Sequence, residues 1–181
     1  LSPNDGWAFP MAALIASIKA NTKMLVLNYP HNPTGSYLTE SEQTQIIEIC
    51  RKANIYLFFD EVYRGIECSD AVARLPTLAS RYENGISLGV VSKALGLAGL
   101  RIGWGASSNK AIITALAGYK HYLSICNSAP SEILALIALR NHDYILTTNT
   151  KLVRANLKLL DEFLKRNGDL FSWTTPTAGC C

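Results

Sequence analysis

A few side chains in this sequence stand where they could do chemistry. Lys93 follows Ser92 directly behind an apolar run, residues 86–92 (ISLGVVS). An ammonium at the end of a covered strand is costly to desolvate, and desolvation lowers a lysine pKa toward the neutral amine that attacks carbonyls and forms Schiff bases. The bland reading is an exposed loop lysine, the commoner fate of that residue type. A second apolar run, residues 55–60 (IYLFFD), ends on the carboxylates of Asp60 and Glu61, with the phenol of Tyr63 three residues after Asp60. A third, MLVLN, leads into Tyr29-Pro30-His31-Asn32-Pro33-Thr34-Gly35, where two prolines and a glycine make a rigid turn that presents Asn32. Arg101 comes eight residues after Lys93 in a glycine-bearing stretch, and a guanidinium there can grip a phosphate through two parallel hydrogen bonds.

Three other chemistries fail on spacing. An apolar strand ending in Asp-Glu is also found in P-loop ATPases, but no G-x-x-x-x-G-K-[ST] occurs to cradle phosphates. Gly103-Trp104-Gly105 with Ser108 lacks the third glycine and the following acid of a dinucleotide fingerprint. Three histidines, His31, His121 and His142, lie far apart, and Cys50, Cys68 and Cys126 are scattered singly, so no metal site is expected. The adjacent Cys180 and Cys181 read better as ordinary thiols than as a metal or redox pair, and most of the five cysteines are expected to be buried small hydrophobes in a reducing compartment.

The elements that must position these groups are legible from periodicity. Four short apolar runs, at residues 24–28, 55–60, 86–92 and 101–106, alternate with amphipathic segments, which is the pattern of α/β folds with a mostly parallel sheet and helices on both faces. Near-continuous hydrophobicity within the runs suits strands covered on both faces. A first helix is expected over residues 12–20, with Leu14, Ile15 and Ile18 on its apolar stripe. A second starts at Thr39, whose spacing from Glu42 makes a capping box, and carries Ile46, Ile47, Cys50 and Ala53 on one face. After the fourth run the chain turns helical. Asn109 caps one helix, Ser128-Ala129-Pro130 opens the next, and a third carries Val153, Leu157, Leu160 and Leu164 and is closed by Gly168 as a left-handed cap. In such sheets ligands bind beyond the carboxyl ends of the strands, where Asn32, Asp60, Tyr63, Ser92 and Lys93 stand, while Arg101 enters the fourth run.

Composition narrows the class further. The 181 residues amount to one domain's worth of chain, 49% hydrophobic and only 17% charged, against the ~25% charged of an average soluble domain. Much of the surface is therefore expected to pack against something. A net charge of +3 without basic clusters implies neither nucleic acid nor an anionic membrane as partner. No apolar stretch approaches the roughly 18 residues of a membrane span, and a cytoplasmic protein is expected. The chain opens without Met on LSPNDGW and ends on Gly179-Cys180-Cys181, so its length is expected to be a cut.

Each motif is weak alone, but their order and spacing resemble one family. NYPHNPTG (28–35), DEVYRG (60–65) and SKALGLAGLRIGW (92–104) are similar to the class I/II, fold-type I aminotransferases that depend on pyridoxal 5′-phosphate (PLP). The resemblance implies that Lys93 is the Schiff-base lysine and the proton shuttle of the reaction. It implies that Asp60 keeps the pyridine nitrogen protonated, that Tyr63 and Asn32 hydrogen-bond the phenolic oxygen, and that Arg101 and Ser92 hold the phosphate. Catalytic roles thus fall on Lys93, Asp60 and Tyr63, and cofactor binding on Asn32, Asp60, Tyr63, Ser92, Lys93 and Arg101. Glu61 is read as structural, since neighbours on a strand point to opposite faces, and His31 as a neighbour in the turn. One departure stands out: some branches carry a second hydroxyl three residues before the lysine, where this sequence has Val90.

Against the family, the chain corresponds to the middle and C-terminal parts of the large domain, residues 1–170, with residues 171–181 beginning the small domain. The phosphate-cradling glycine-rich helix start, the ring-stacking aromatic, the tyrosine lent by the partner subunit and the arginine for the substrate carboxylate fall outside it. Transfer of an amino group between an amino acid and a 2-oxo acid is the activity implied, in a homodimer. A lyase or decarboxylase on the same scaffold, or a catalytically incomplete fragment, are the alternatives.

Overall fold

The computed structural model describes residues 1–180; Cys181, half of the adjacent cysteine pair, lies outside them. Four strands, β1 (Met24–Asn28), β2 (Tyr56–Asp60), β3 (Gly85–Val90) and β4 (Gly103–Ala106), form one sheet in sequential order. The first three run parallel and β4 returns antiparallel to β3. The register sets Asn28 beside Asp60, and Asp60 beside Leu88.

Helix α1 spans Met11–Ser17 and α2 Glu40–Ala53. Thr39 and Glu42 make the expected capping box, and Asn54 closes α2 in the left-handed conformation. The expected face of α2 is the buried one: Ile46, Ile47 and Cys50 join Leu57, Phe59, Leu78 and Tyr82 in the main core, each large apolar side chain contributing about 1.5–3 kcal/mol. Residue alternation then assigns the strand faces. Leu25, Leu27, Leu57 and Phe59 look toward α2, so Val26, Asn28, Tyr56 and Asp60 look the other way. That second face is open over β1 and β2, with Val26 62% exposed. The strands read as doubly covered, and this chain supplies only one of the two covers there.

Beyond β4 come α3 (Lys110–Leu123), α4 (Ala129–Arg140) and α5 (His142–Arg166). Asn109 caps α3 through Ala111 and Ile112 N–H as expected. Ala135 of α4 packs on Val91 and Leu95, and Leu146 of α5 packs on Ile66 and Ala94. These two helices therefore buttress the segments that follow β2 and β3.

Several local expectations are corrected. Helix α1 ends at Ser17, because Ile18 turns extended, and only Leu14 of its stripe is buried. Gly168 is not a left-handed cap: α5 ends a residue earlier, where the Asn167 carboxamide donates to Phe163 O at 2.8 Å and satisfies the last turn. Among the described cysteines only Cys50 is buried; Cys68 is half-buried, and Cys126 and Cys180 are exposed. The third and fourth strands are shorter than their apolar runs, leaving Ser92 and Arg101 outside the sheet.

Candidate active site

The carboxyl ends of β1 and β2 and the segment after β3 bring the motif residues together. The turn after β1 is closed by His31 N–H to Ser36 O at 2.9 Å and Gly35 N–H to His31 O at 2.8 Å, and it presents Asn32 at the surface. The Asn32 Nδ2 donates to the Tyr63 hydroxyl at 2.8 Å. Tyr63 is 4% exposed, and the Lys93 Nζ stands 5.6 Å from its ring centroid. Three side chains from three loops thus meet at one place.

Asp60 ends β2 on the open face, and one of its carboxylate oxygens accepts from Val62 N–H at 3.2 Å. Glu61 goes the other way, as expected: its carboxylate accepts from the Thr77 hydroxyl at 2.6 Å and Leu78 N–H at 2.9 Å. This ties the Asp60–Tyr63 segment to the 3-10 turn at Leu78–Ser80.

Lys93 and Arg101 leave a single loop neck. Val91 N–H donates to Ile102 O at 3.2 Å and Leu97 N–H to Val91 O at 3.0 Å, while Asn149 of α5 donates to Ala94 O at 3.0 Å. Val91 and Leu95 are buried beneath the loop. Lys93 itself is exposed, not covered by a strand layer as the apolar run implied, and Ser92 is half-buried beside it. The reason is that the chain leaves the sheet after Val90 and spends the buried side of the loop on Val91, Ala94 and Leu95. Arg101 adopts φ +56° and its Nη1 donates to Ala98 O at 3.0 Å. At the sheet end of the same hairpin, Gly89 lies under the Trp104 indole, where a Cβ would come within 2.5 Å of the ring. The β3–β4 pairing that feeds the neck therefore depends on that glycine.

Two features escaped the sequence reading. The segment around residues 176–179 folds back onto the turn: Thr177 N–H and Ala178 N–H both donate to Gly35 O, and Gly179 N–H donates to Ile66 O at 2.7 Å. Gly35 has φ +66°, and a Cβ there would lie 2.3 Å from Pro176. The second is Glu67, a buried carboxylate paired with Arg74 at 3.0 Å and accepting from Gly65 N–H at 3.1 Å. His31 lies tilted against the Tyr29 ring, with centroids 5.8 Å apart, and bonds Thr34 through Nδ1 at 2.8 Å, and burial holds its pKa below the ordinary imidazole value. Among the described residues no cluster of His, Cys, Asp and Glu could hold a metal ion, and no helix is long and apolar enough to cross a membrane.

The family model described as "Aminotransferase class I and II" matches residues 1–180. A PLP-dependent aminotransferase from Streptococcus suis superposes with a TM-score of 0.90 at 30% identity, over 98% of this chain and 46% of that one. A histidinol-phosphate aminotransferase from Bacillus pumilus is 32% identical over 173 residues, 96% of this chain and 46% of the relative. Capreomycidine synthase from Streptomyces vinaceus is 26% identical over 182 residues, 99% of this chain and 45% of the relative. The chain spans a little under half the length of each.

Proposed function

The chain belongs to the class I and II aminotransferase family, and from that premise we propose that it carries the cofactor-binding core of a PLP-dependent aminotransferase, moving an amino group between an amino acid and a 2-oxo acid. The observation that carries this reading is the meeting of Asn32, Tyr63 and Lys93 at the strand ends.

The residues present fit the cofactor by the chemistry of their donors. An amine, a phenol paired with a carboxamide, a carboxylate and a guanidinium match an aldehyde, a phenolic oxygen, a pyridine nitrogen and a phosphate respectively. When bound, the cofactor supplies a conjugated ring that withdraws electrons from bonds at the substrate α-carbon. Lys93 Nζ would hold the cofactor through its aldehyde and would move a proton at the substrate α-carbon. Asp60 would keep the proton on the pyridine nitrogen. Asn32 Nδ2 and the Tyr63 hydroxyl would donate to the phenolic oxygen. Arg101 and Ser92 would bind the phosphate, with Val90 offering no hydroxyl to help them. Residues 1–170 form part of the large domain and residues 171–181 begin the small one.

The free thiols of Cys50, Cys68 and Cys126 accord with a cytoplasmic enzyme. The exposed apolar side chains of α3 and α4, among them Tyr122 at 92% exposure, accord with a homodimer whose remaining half covers them. A second reading, PLP chemistry other than transamination on the same scaffold, is supported by the likeness to capreomycidine synthase over nearly the whole chain.

The test mixes the reconstituted protein with a panel of amino acids and follows the bound cofactor's visible absorbance. Loss of the band with formation of pyridoxamine phosphate and a 2-oxo acid is the expected result. Failure of every donor to yield a 2-oxo acid overturns the aminotransferase reading, and a substrate consumed without one favours the second.

A further inference from the structure

Asn28 is the last residue of β1 and the parallel-register partner of Asp60. Its side chain bridges two backbones. The Nδ2 donates to Asp60 O at 3.0 Å, and the Oδ1 accepts from Asn32 N–H at 2.9 Å. A backbone carbonyl demands a donor and a backbone N–H an acceptor, so only one orientation of the carboxamide satisfies both ends. Asp60 O also accepts from Tyr29 N–H at 3.1 Å, which brings the start of the turn to the same atom. The far half of the turn is closed by its own backbone bonds at residues 31–36. Within that span, the Asn32 N–H is also tied to β2 through the Asn28 carboxamide. Asn28 is half-buried, so its two bonds compete with water less than surface bonds do.

We propose that Asn28 is a positioning residue of the site: its carboxamide fixes the distance between the backbone that carries Asp60 and the backbone that carries Asn32. The proposal rests on the reading above, in which those two residues would hold two different atoms of one cofactor ring. Asn28 touches neither ring nor substrate. It acts by keeping the Asn32 Nδ2 where it meets the Tyr63 hydroxyl, so its loss loosens the donor pair at the phenolic oxygen and leaves the lysine amine in place.

The experiment is a pH titration of the visible absorbance of the PLP-reconstituted protein, in wild type, Asn28→Ala, Asn32→Ala and the double variant. Loss of donors to the phenolic oxygen raises the pKa of the bound chromophore. Asn28→Ala is expected to raise it by up to about one unit, Asn32→Ala by at least as much, and the double variant no further than Asn32→Ala, since residues acting through one contact are not additive. Asn28→Thr, whose hydroxyl is too short to bridge and whose branched side chain suits a strand, gives the same shift where alanine fails to fold. An unchanged pKa in the Asn28 variants, or additive shifts in the double variant, overturns the positioning role while leaving the cofactor reading standing. A wild type that develops no such absorbance overturns that reading, and the proposal with it.

Discussion

The Asn32 carboxamide donates to the Tyr63 hydroxyl at 2.8 Å, a bond between a turn after β1 and a loop after β2 that are separated by the whole of α2. It holds two donors side by side before any ligand arrives. Preformed donors aimed at one oxygen need no reorganisation when charge appears there.

Tyr63→Phe removes one of these donors and leaves the Asn32 Nδ2 without its partner. A hydrogen bond of this kind contributes about 0.5–1.5 kcal/mol, so the chromophore pKa of the PLP-reconstituted protein is expected to rise by up to about one unit. A spectrophotometric titration reads it directly. The phenyl ring remains, and the fold with it.

Arg101→Lys keeps the charge but loses the planar fork. Charge-assisted hydrogen bonds are worth about 1.5–3 kcal/mol, and an ammonium cannot reproduce two parallel bonds to a phosphate. The dissociation constant for PLP is expected to rise roughly 10- to 100-fold, measured by equilibrium dialysis. Pyridoxal without its phosphate is expected to bind wild type and variant alike.

Cys50 is fully buried on α2, and burial pushes its thiol up to about 11. Iodoacetamide under native conditions at pH 8 is expected to label the exposed Cys126 and to spare Cys50 until denaturant is added, as read by peptide mass mapping. The same shift has a stability consequence. Between the ordinary value of 9.0 and about 11 the unfolded thiol loses its proton while the folded one keeps it, so this group makes the fold less stable as pH rises through that window.

Much of the framework was legible in the sequence because it rests on local chemistry. The Thr39–Glu42 box and the Asn109 cap both follow from near neighbours. The misread positions are those decided by distant contacts. Val91 looks like a strand residue, yet it is buried because it packs with Ala135 of α4 beneath a loop. Gly168 looks like a helix stop, yet Asn167 closes the helix with its own side chain. Site legibility divides in the same way. The residues of the three motifs could be named from order and spacing, and the structure brings Asn32, Tyr63 and Lys93 together while leaving Arg101 turned to Ala98 O. Asn28 stood inside a quoted motif, but its bridge depends on the β1–β2 register, which no local pattern encodes.

The central claim is that Lys93 is the amine that carries the cofactor, and borohydride trapping tests it most directly. The protein is incubated with PLP, reduced, digested and mapped by mass spectrometry. The account predicts a phosphopyridoxyl group on the peptide containing Lys93 and none at that peptide after Lys93→Ala. An unmodified Lys93 in the wild-type protein, or equal labelling of a surface lysine such as Lys110 in its place, would contradict it.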